Sequence, residues 1–419
     1  MRRRRRGARE RILIVGGGRA GVSAAEELRR CGFDGRITVL GAEADLPYHR
    51  PSCSKGLLTG HQRPADALLP LDGCPGVDWR PRRRATALDA YARVVETDTG
   101  EEFTYDGLVI ATGSHGVAPR NWPVGEPGLH VLHALADAWA LRRDLRHAQR
   151  VAIVGGGLTG CETASAVRSM ARSCVLIDSN HQVMTRAVGE LVGRLVTDEL
   201  RRNRVNLRLG RRVRDIDRRR RGWRLVLDDG SEVDADVVVA TTGERPDTGW
   251  LDATPGLDTT DGVLCDETLR VAGAEAVVAA GAVALWPNLR YDNRPRRCGQ
   301  WIAAMEQGRA AARALLAGDR PVPPVMPLTR YWSEQFGLRI QVSGELDPRA
   351  EIHVTEQRPG RRDIARAGIT ATYTVDGRLV GLLAVNAPRS FNEITRTLLA
   401  APHPVAVPSG GYRTLAAVG

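Results

Sequence analysis

The sequence predicts an α/β fold with two nucleotide-binding halves and a further, smaller domain behind a proline-rich linker. Three observations predict it. RILIVGGGRAGVSAAEELRRCGFDGRITVL, residues 11–40, joins an apolar run to a glycine turn, a helical pattern and a second apolar run. RVAIVGGGLTGCETASAVRSMARSCVLID, residues 150–178, repeats that order. PVPPVMP, residues 321–327, cannot continue a helix and marks a boundary.

In the first copy, Ile12–Val15 reads as a central parallel strand and Ile37–Leu40 closes the βαβ unit, with helical periodicity from Ala20 to Leu28 between them. Gly16, Gly18 and Gly21 supply G-x-G-x-x-G. The first glycine permits the tight turn, the second lets the backbone approach a pyrophosphate, and the third lets helix and strand pack closely. The helix N-terminus then offers free N–H groups and the positive end of its dipole to phosphate. Gly16, Gly18, Ala20 and Gly21 are the candidate contacts. The nearest acid is Glu43, three residues past the strand, a candidate for the ribose.

In the second copy, Gly155, Gly157 and Gly160 follow the strand Val151–Val154, and the next strand ends at Asp178. A carboxylate there can accept both ribose hydroxyls of an unphosphorylated adenosine and repels a 2′-phosphate. Residues 179–182 carry no arginine to hold such a phosphate. NADH is favoured over NADPH. Two dinucleotide folds imply two dinucleotides, most economically a bound flavin and a diffusing nicotinamide cofactor. A hydride donor beside a flavin is an oxidoreductase.

The 419 residues suit two or three domains, and 42% hydrophobic with 26% charged residues is the balance of an ordinary globular protein. No run approaches 18 apolar residues, so no membrane span is expected. MRRRRRGARE is basic, but no signal-peptide core follows it, and it reads as a solvated tail. The net charge of +11 favours an acidic protein partner over nucleic acid, because no nucleic-acid-binding motif accompanies it. The seven cysteines form no C-x-x-C pair. That argues against a disulfide framework and a zinc site, so no metal is expected and a cytoplasmic location is the default. Lys55 is the single lysine among 60 basic residues, in YHRPSCSKGLL. A compact ammonium there can reach one acceptor or pair with a buried carboxylate, as a planar guanidinium cannot.

YDGLVIATGS, ahead of the second turn, and DADVVVATTGERPDTGWL, after it, complete a two-dinucleotide pattern. With LPYHRPSCSK (46–55), QWIAAMEQGRAAARALL (300–316) and YWSEQFGLRIQVSG (331–344), the chain resembles the FAD-dependent pyridine nucleotide reductases. It is most similar to the ferredoxin reductases that serve haem-containing and ring-hydroxylating oxygenases. The likeness runs from about residue 11 to about residue 400. It implies two Rossmann-like dinucleotide-binding domains, one for FAD (8–115 and 245–322) and one for NAD (116–244), plus a small α+β C-terminal domain (323–419). It implies that Arg50 and Lys55 hold the FAD, with Lys55 beside the isoalloxazine, where an ammonium can stabilise charge on the reduced ring. It places Ala111, Thr112 and Gly113 against the flavin nucleotide, with Gly243 the matching glycine after the second turn, and Arg120 reaching the FAD. It places Glu162 near the nicotinamide and Trp332 near the flavin, on the side where a partner docks. The implied partner is an acidic [2Fe-2S] ferredoxin and the implied assembly a monomer or homodimer.

Three departures stand near the flavin. The family's Gly-Asp pair, whose carboxylate holds the ribityl hydroxyls, is Gly281–Ala282 here, and Gly299 stands where glutamate is usual. Cys53 replaces a leucine and has no partner cysteine at redox spacing. Three readings follow. The chain is an NADH-dependent FAD reductase of an iron–sulfur protein, a related flavoenzyme with oxygen, a quinone or a biosynthetic intermediate as acceptor, or a degenerate member with weakened FAD binding and no catalysis.

Overall fold

The computed structural model describes residues 10–347, 349–356, 368–400 and 405–406. The arginine run at the start of the chain lies outside the described residues. The chain forms two compact units, one of residues 1–49, 68–115 and 245–329, the other of 50–67, 116–244 and 330–419.

The first unit is built on a five-stranded sheet in the order Val277–Ala279, Gly107–Ile110, Arg11–Val15, Arg36–Gly41, Val77–Pro81. Every pairing is parallel. The inner strands are apolar without alternation because both faces of a parallel sheet are covered. Helix Arg19–Arg30 and helix Trp301–Ala317 pack against each other. A methyl group on Gly308 would lie 2.2 Å from the Ala20 carbonyl oxygen, so the small residues of GRAAARALL bring the two helix backbones close. A three-stranded antiparallel sheet, Ala85–Asp89, Val94–Thr97 and Glu102–Thr104, completes this unit's described sheets together with Val263–Leu264, Ala284–Pro287 and Pro295–Arg297. The proline stretch belongs to this unit: Val325 N–H donates to the Glu267 carbonyl at 2.7 Å and Trp286 Nε1 to the Val325 carbonyl at 3.2 Å.

Glu27 joins the two helices. Its side chain is 3% exposed and accepts from Arg30 Nη2 at 2.6 Å and Arg313 Nη1 at 2.8 Å. The Arg30 hydrogen bond above all, helped by Arg313, holds this carboxyl below the ordinary carboxylate range against the opposing effect of burial. A depressed folded-state pKa contributes stability above the unfolded value, and that stability is lost as pH falls through the folded value. Glu27→Gln is therefore expected to cost about 1–2 kcal/mol at neutral pH. The deficit should begin to shrink below about pH 4.3, where the carboxyl of the unfolded chain takes up its proton, and should go on shrinking as pH falls toward the lower folded-state value. Urea unfolding of both proteins at pH 7 and pH 3.5 checks this, and a deficit independent of pH would remove the ion pair as its cause.

The second unit repeats the parallel design. Its sheet runs Asn206–Leu209, Ser173–Asp178, Arg150–Val154, Val237–Ala240, Leu129–Val131, again with parallel pairings throughout. Helices Leu158–Ser169 and Thr185–Arg202 belong to it, and an antiparallel sheet of Val213–Arg218, Trp223–Leu227 and Glu232–Ala235 is inserted before the fourth strand of that order. Residues 330–406 contribute a six-stranded antiparallel sheet and helix Pro388–Ala400, the expected α+β portion, beginning at Arg330. Residues 50–67 pack in this compact unit, apart from the strands that flank them in sequence. Leu57 and Leu58 are fully buried, and helix Gly56–Thr59 lies against helices Leu135–Leu145 and Leu158–Ser169. Burial of these leucines decides the placement, an interaction that neighbouring sequence does not reveal.

Candidate functional site

The two glycine turns are near copies. Gly16 has φ +120° and Gly155 φ +111°, both in the region that favours glycine. A methyl group on Gly16 would lie 2.0 Å from the Ala111 carbonyl oxygen, and one on Gly155 2.4 Å from that of Thr241. At Gly21 and Gly160 it would lie 2.0 and 1.8 Å from the carbonyl oxygens of Gly16 and Gly155. These four glycines are therefore required by backbone contacts. Gly18 and Gly157 differ from them. Both are extended residues capping twelve-residue helices, and a methyl group on either would meet nothing within 4 Å. Each leaves open space before a helix N-terminus whose first N–H groups lack intrahelical partners. That space fits the pyrophosphate of a dinucleotide, once in each unit. Ala20 is buried, its β-carbon 3.0 Å from where one on Gly281 would stand, so its part is helix packing.

The strands after the turns end differently. Asp178 follows Ile177, which pairs with Val154; its counterpart in the first unit, after Leu40 paired with Val15, is Gly41. Asp178 Oδ2 accepts from Gly156 N–H at 2.5 Å, and Oδ1 from the Asn180 backbone and side-chain nitrogens at 2.7 and 2.8 Å. The carboxylate is thus held rigidly beside the turn; both acceptor sites of Oδ1 are taken and Oδ2 retains one. Glu43, in the first unit, accepts from the Tyr48 hydroxyl at 2.6 Å.

Lys55 and Glu162, the two residues expected to carry chemistry, meet. Lys55 Nζ lies 2.6 Å from Glu162 Oε2 and also donates to the Pro51 carbonyl at 3.0 Å. The Glu162 side chain is 6% exposed and that of Lys55 20%. Ser54 Oγ donates to the same Glu162 oxygen at 2.5 Å, and Ser333 Oγ to the other at 2.7 Å. A buried carboxylate needs this much support, since desolvation alone would disfavour its charge. The turn Arg50–Ser52 precedes Lys55, and Arg50 Nη1 reaches the His133 carbonyl at 3.5 Å. Sequence reasoning placed Lys55 by the flavin and Glu162 by the nicotinamide without joining them. It passed over Ser54 and Ser333, which sit inside the motifs it quoted.

The remaining candidates are divided between the two units. Ala111 is buried against the first turn, Thr112 Oγ1 donates to the Asp247 carbonyl at 2.8 Å, and Gly113 has φ +75°. Gly243 has φ +128° with open space at its missing β-carbon. Arg120 is exposed, and Trp332 is half-buried on the face of its strand opposite Ser333. Gly281 has φ +86°, and its N–H donates to Gln307 Oε1 at 2.8 Å. Ala282, beside it, is half-buried. Cys53 is buried and takes part in no disulfide among the described residues. Cys161, in the helix after the second turn, is pushed well above the usual thiol range by burial first and then by Asp178 and Glu162, which makes it unreactive.

Residues 10–308 match the pyridine nucleotide-disulphide oxidoreductase family, and residues 330–408 the reductase C-terminal family. The chain is 33% identical over 391 residues to the biphenyl dioxygenase system ferredoxin–NAD(+) reductase component of Paraburkholderia xenovorans, covering 92% of both chains. It is 32% identical over 387 residues to terpredoxin reductase from Pseudomonas sp., covering 91% of this chain and 90% of that protein. Among solved structures, the covalent putidaredoxin reductase–putidaredoxin complex is similar at TM-score 0.83 and 26% identity, covering 94% and 93% of the two chains.

Proposed function

The chain belongs to the pyridine nucleotide-disulphide oxidoreductase family, and from that premise we propose that it takes electrons from NADH through FAD to the ferredoxin of an oxygenase system. The observation that carries this reading is the duplicated turn, with the same backbone and the same open position at Gly18 and at Gly157. One turn holds the FAD pyrophosphate and the other that of NADH. The FAD domain is proposed to comprise residues 8–115 and 245–322, the NAD domain 116–244 and the C-terminal domain 323–419. Arg50, Lys55, Arg120 and Trp332 are assigned to the flavin, as the resemblance implies. The acceptor is proposed to be an acidic [2Fe-2S] ferredoxin, met in the cytoplasm by a monomer or homodimer. No described helix is long and apolar enough to cross a membrane.

When bound, FAD supplies the hydride acceptor and the means of releasing electrons one at a time. The chain supplies position and charge. The Lys55 ammonium, compensated by Glu162, places a fixed cation without leaving a bare charge in a dry site. Glu162 orients the carboxamide end of NADH, and Asp178 accepts a ribose hydroxyl on its remaining site at the other end. Binding at both ends restricts the nicotinamide ring to few orientations, which is where much of the rate advantage arises.

The purified protein with added FAD is expected to show flavin bands that bleach on anaerobic addition of NADH. NADPH should do so with kcat/KM lower by at least about tenfold, and Asp178→Ala should narrow that preference. Reduction by NADH together with a salt-sensitive rate to an acidic ferredoxin supports the reading. A bleached flavin that oxygen or a quinone reoxidises faster, without salt dependence, favours another acceptor. Failure to retain FAD makes the chain the degenerate member.

A further inference from the structure

Glu162 is gripped from two directions: Oε2 by Lys55 and Ser54, and Oε1 by Ser333 alone among the described residues. Ser333 is fully buried in strand Arg330–Gln335 of the C-terminal antiparallel sheet. Behind it stands Gln335, 3% exposed, whose Nε2 donates to Ser333 Oγ at 3.2 Å and to Met184 Sδ at 3.1 Å. An amide nitrogen only donates, so Ser333 accepts from Gln335 and its single O–H is committed to Glu162. The chain of hydrogen bonds therefore has one direction, from Gln335 through Ser333 to the carboxylate, and each bond polarises the next.

The backbone holds this strand on the helix that carries Glu162. Gln335 pairs with Leu338, so Phe336 and Gly337 form a two-residue hairpin loop, with φ +50° and +75°. Positive φ is expected at both positions of such a loop but is unfavourable for a bulky phenylalanine. Phe336 N–H is satisfied by Ser165 Oγ of the same helix at 2.8 Å. A strained residue fastened one turn beyond Glu162 keeps Ser333 in place.

We propose that Ser333, backed by Gln335, is a positioning residue that fixes the Glu162 carboxylate for its work on the nicotinamide nucleotide. The C-terminal sheet thereby completes the nucleotide site. This rests on the role given to Glu162 above.

The test is NAD+ affinity, measured by calorimetry on the FAD-loaded protein in a double-mutant cycle. Ser333→Ala is expected to weaken binding about tenfold, the effect of one hydrogen bond to a charged group. Ser333→Thr keeps the hydroxyl and should bind like the wild type. In a Glu162→Gln background the same Ser333→Ala change should add no more than about twofold, because both act through one carboxylate. Gln335→Leu should weaken binding in the same direction as Ser333→Ala. Should Ser333→Ala fold poorly, Ser333→Cys removes the strong donor at nearly constant volume. Equal losses with and without Glu162, or no loss at all, would overturn the proposal. If Glu162→Gln itself leaves affinity unchanged, the role of Glu162 fails and the inference with it. If Glu162→Gln weakens binding and Ser333→Ala does not, only the inference fails.

Discussion

Lys55→Met is expected to slow NADH-driven flavin reduction by about a hundredfold and to lower the melting temperature as well. The two effects have different origins. Removing the ammonium leaves Glu162 as a buried carboxylate with only Ser54 and Ser333 as donors, a loss of about 3–5 kcal/mol where one partner of a buried pair is deleted. The kinetic loss of about 2–3 kcal/mol comes from removing a preorganised cation where charge develops. Lys55→Met with Glu162→Gln separates them. The double variant no longer buries an unpaired charge and should regain most of its thermal stability. It should still reduce flavin at least as slowly as the single variant, because the ammonium is gone and the carboxylate that orients NADH is gone with it. Stopped-flow bleaching and thermal melts on the same preparations decide this. Recovery of both rate and stability would make Lys55–Glu162 a structural pair only.

Ala282→Asp should tighten FAD binding by about tenfold to a hundredfold, restoring one or two charge-assisted hydrogen bonds worth about 1.5–3 kcal/mol each. Gly281, with its positive φ and its N–H capped by Gln307, gives the turn that the carboxylate needs. Ala282 is half-buried, so an aspartate there without FAD is partly desolvated and should lower the melting temperature of the apoprotein. Added FAD should reverse that loss by mass action, more steeply than in the wild type. Titration of intrinsic flavin fluorescence gives the two dissociation constants. Equal constants would show that position 282 does not meet the ribityl chain and that the remaining contacts suffice.

The sequence by itself determined the two βαβ units, the glycine positions and Asp178 at a strand end. Each rests on periodicity and backbone geometry within about 30 residues, where local chemistry governs structure. It also singled out Lys55, because one ammonium among so many guanidiniums is visible without a fold. Tertiary structure alone decided which groups Lys55 meets. Its partner Glu162 lies 107 residues away, and Ser333 lies 171 residues beyond Glu162. No spacing rule connects such positions. Their meeting follows from helix Gly56–Thr59 burying two leucines against the second unit and from a hairpin fastened to Ser165. Gly21 shows the same division at smaller scale. Its place in G-x-G-x-x-G is legible from spacing, whereas the 2.0 Å approach to the Gly16 carbonyl that excludes any side chain exists only once strand and helix have packed.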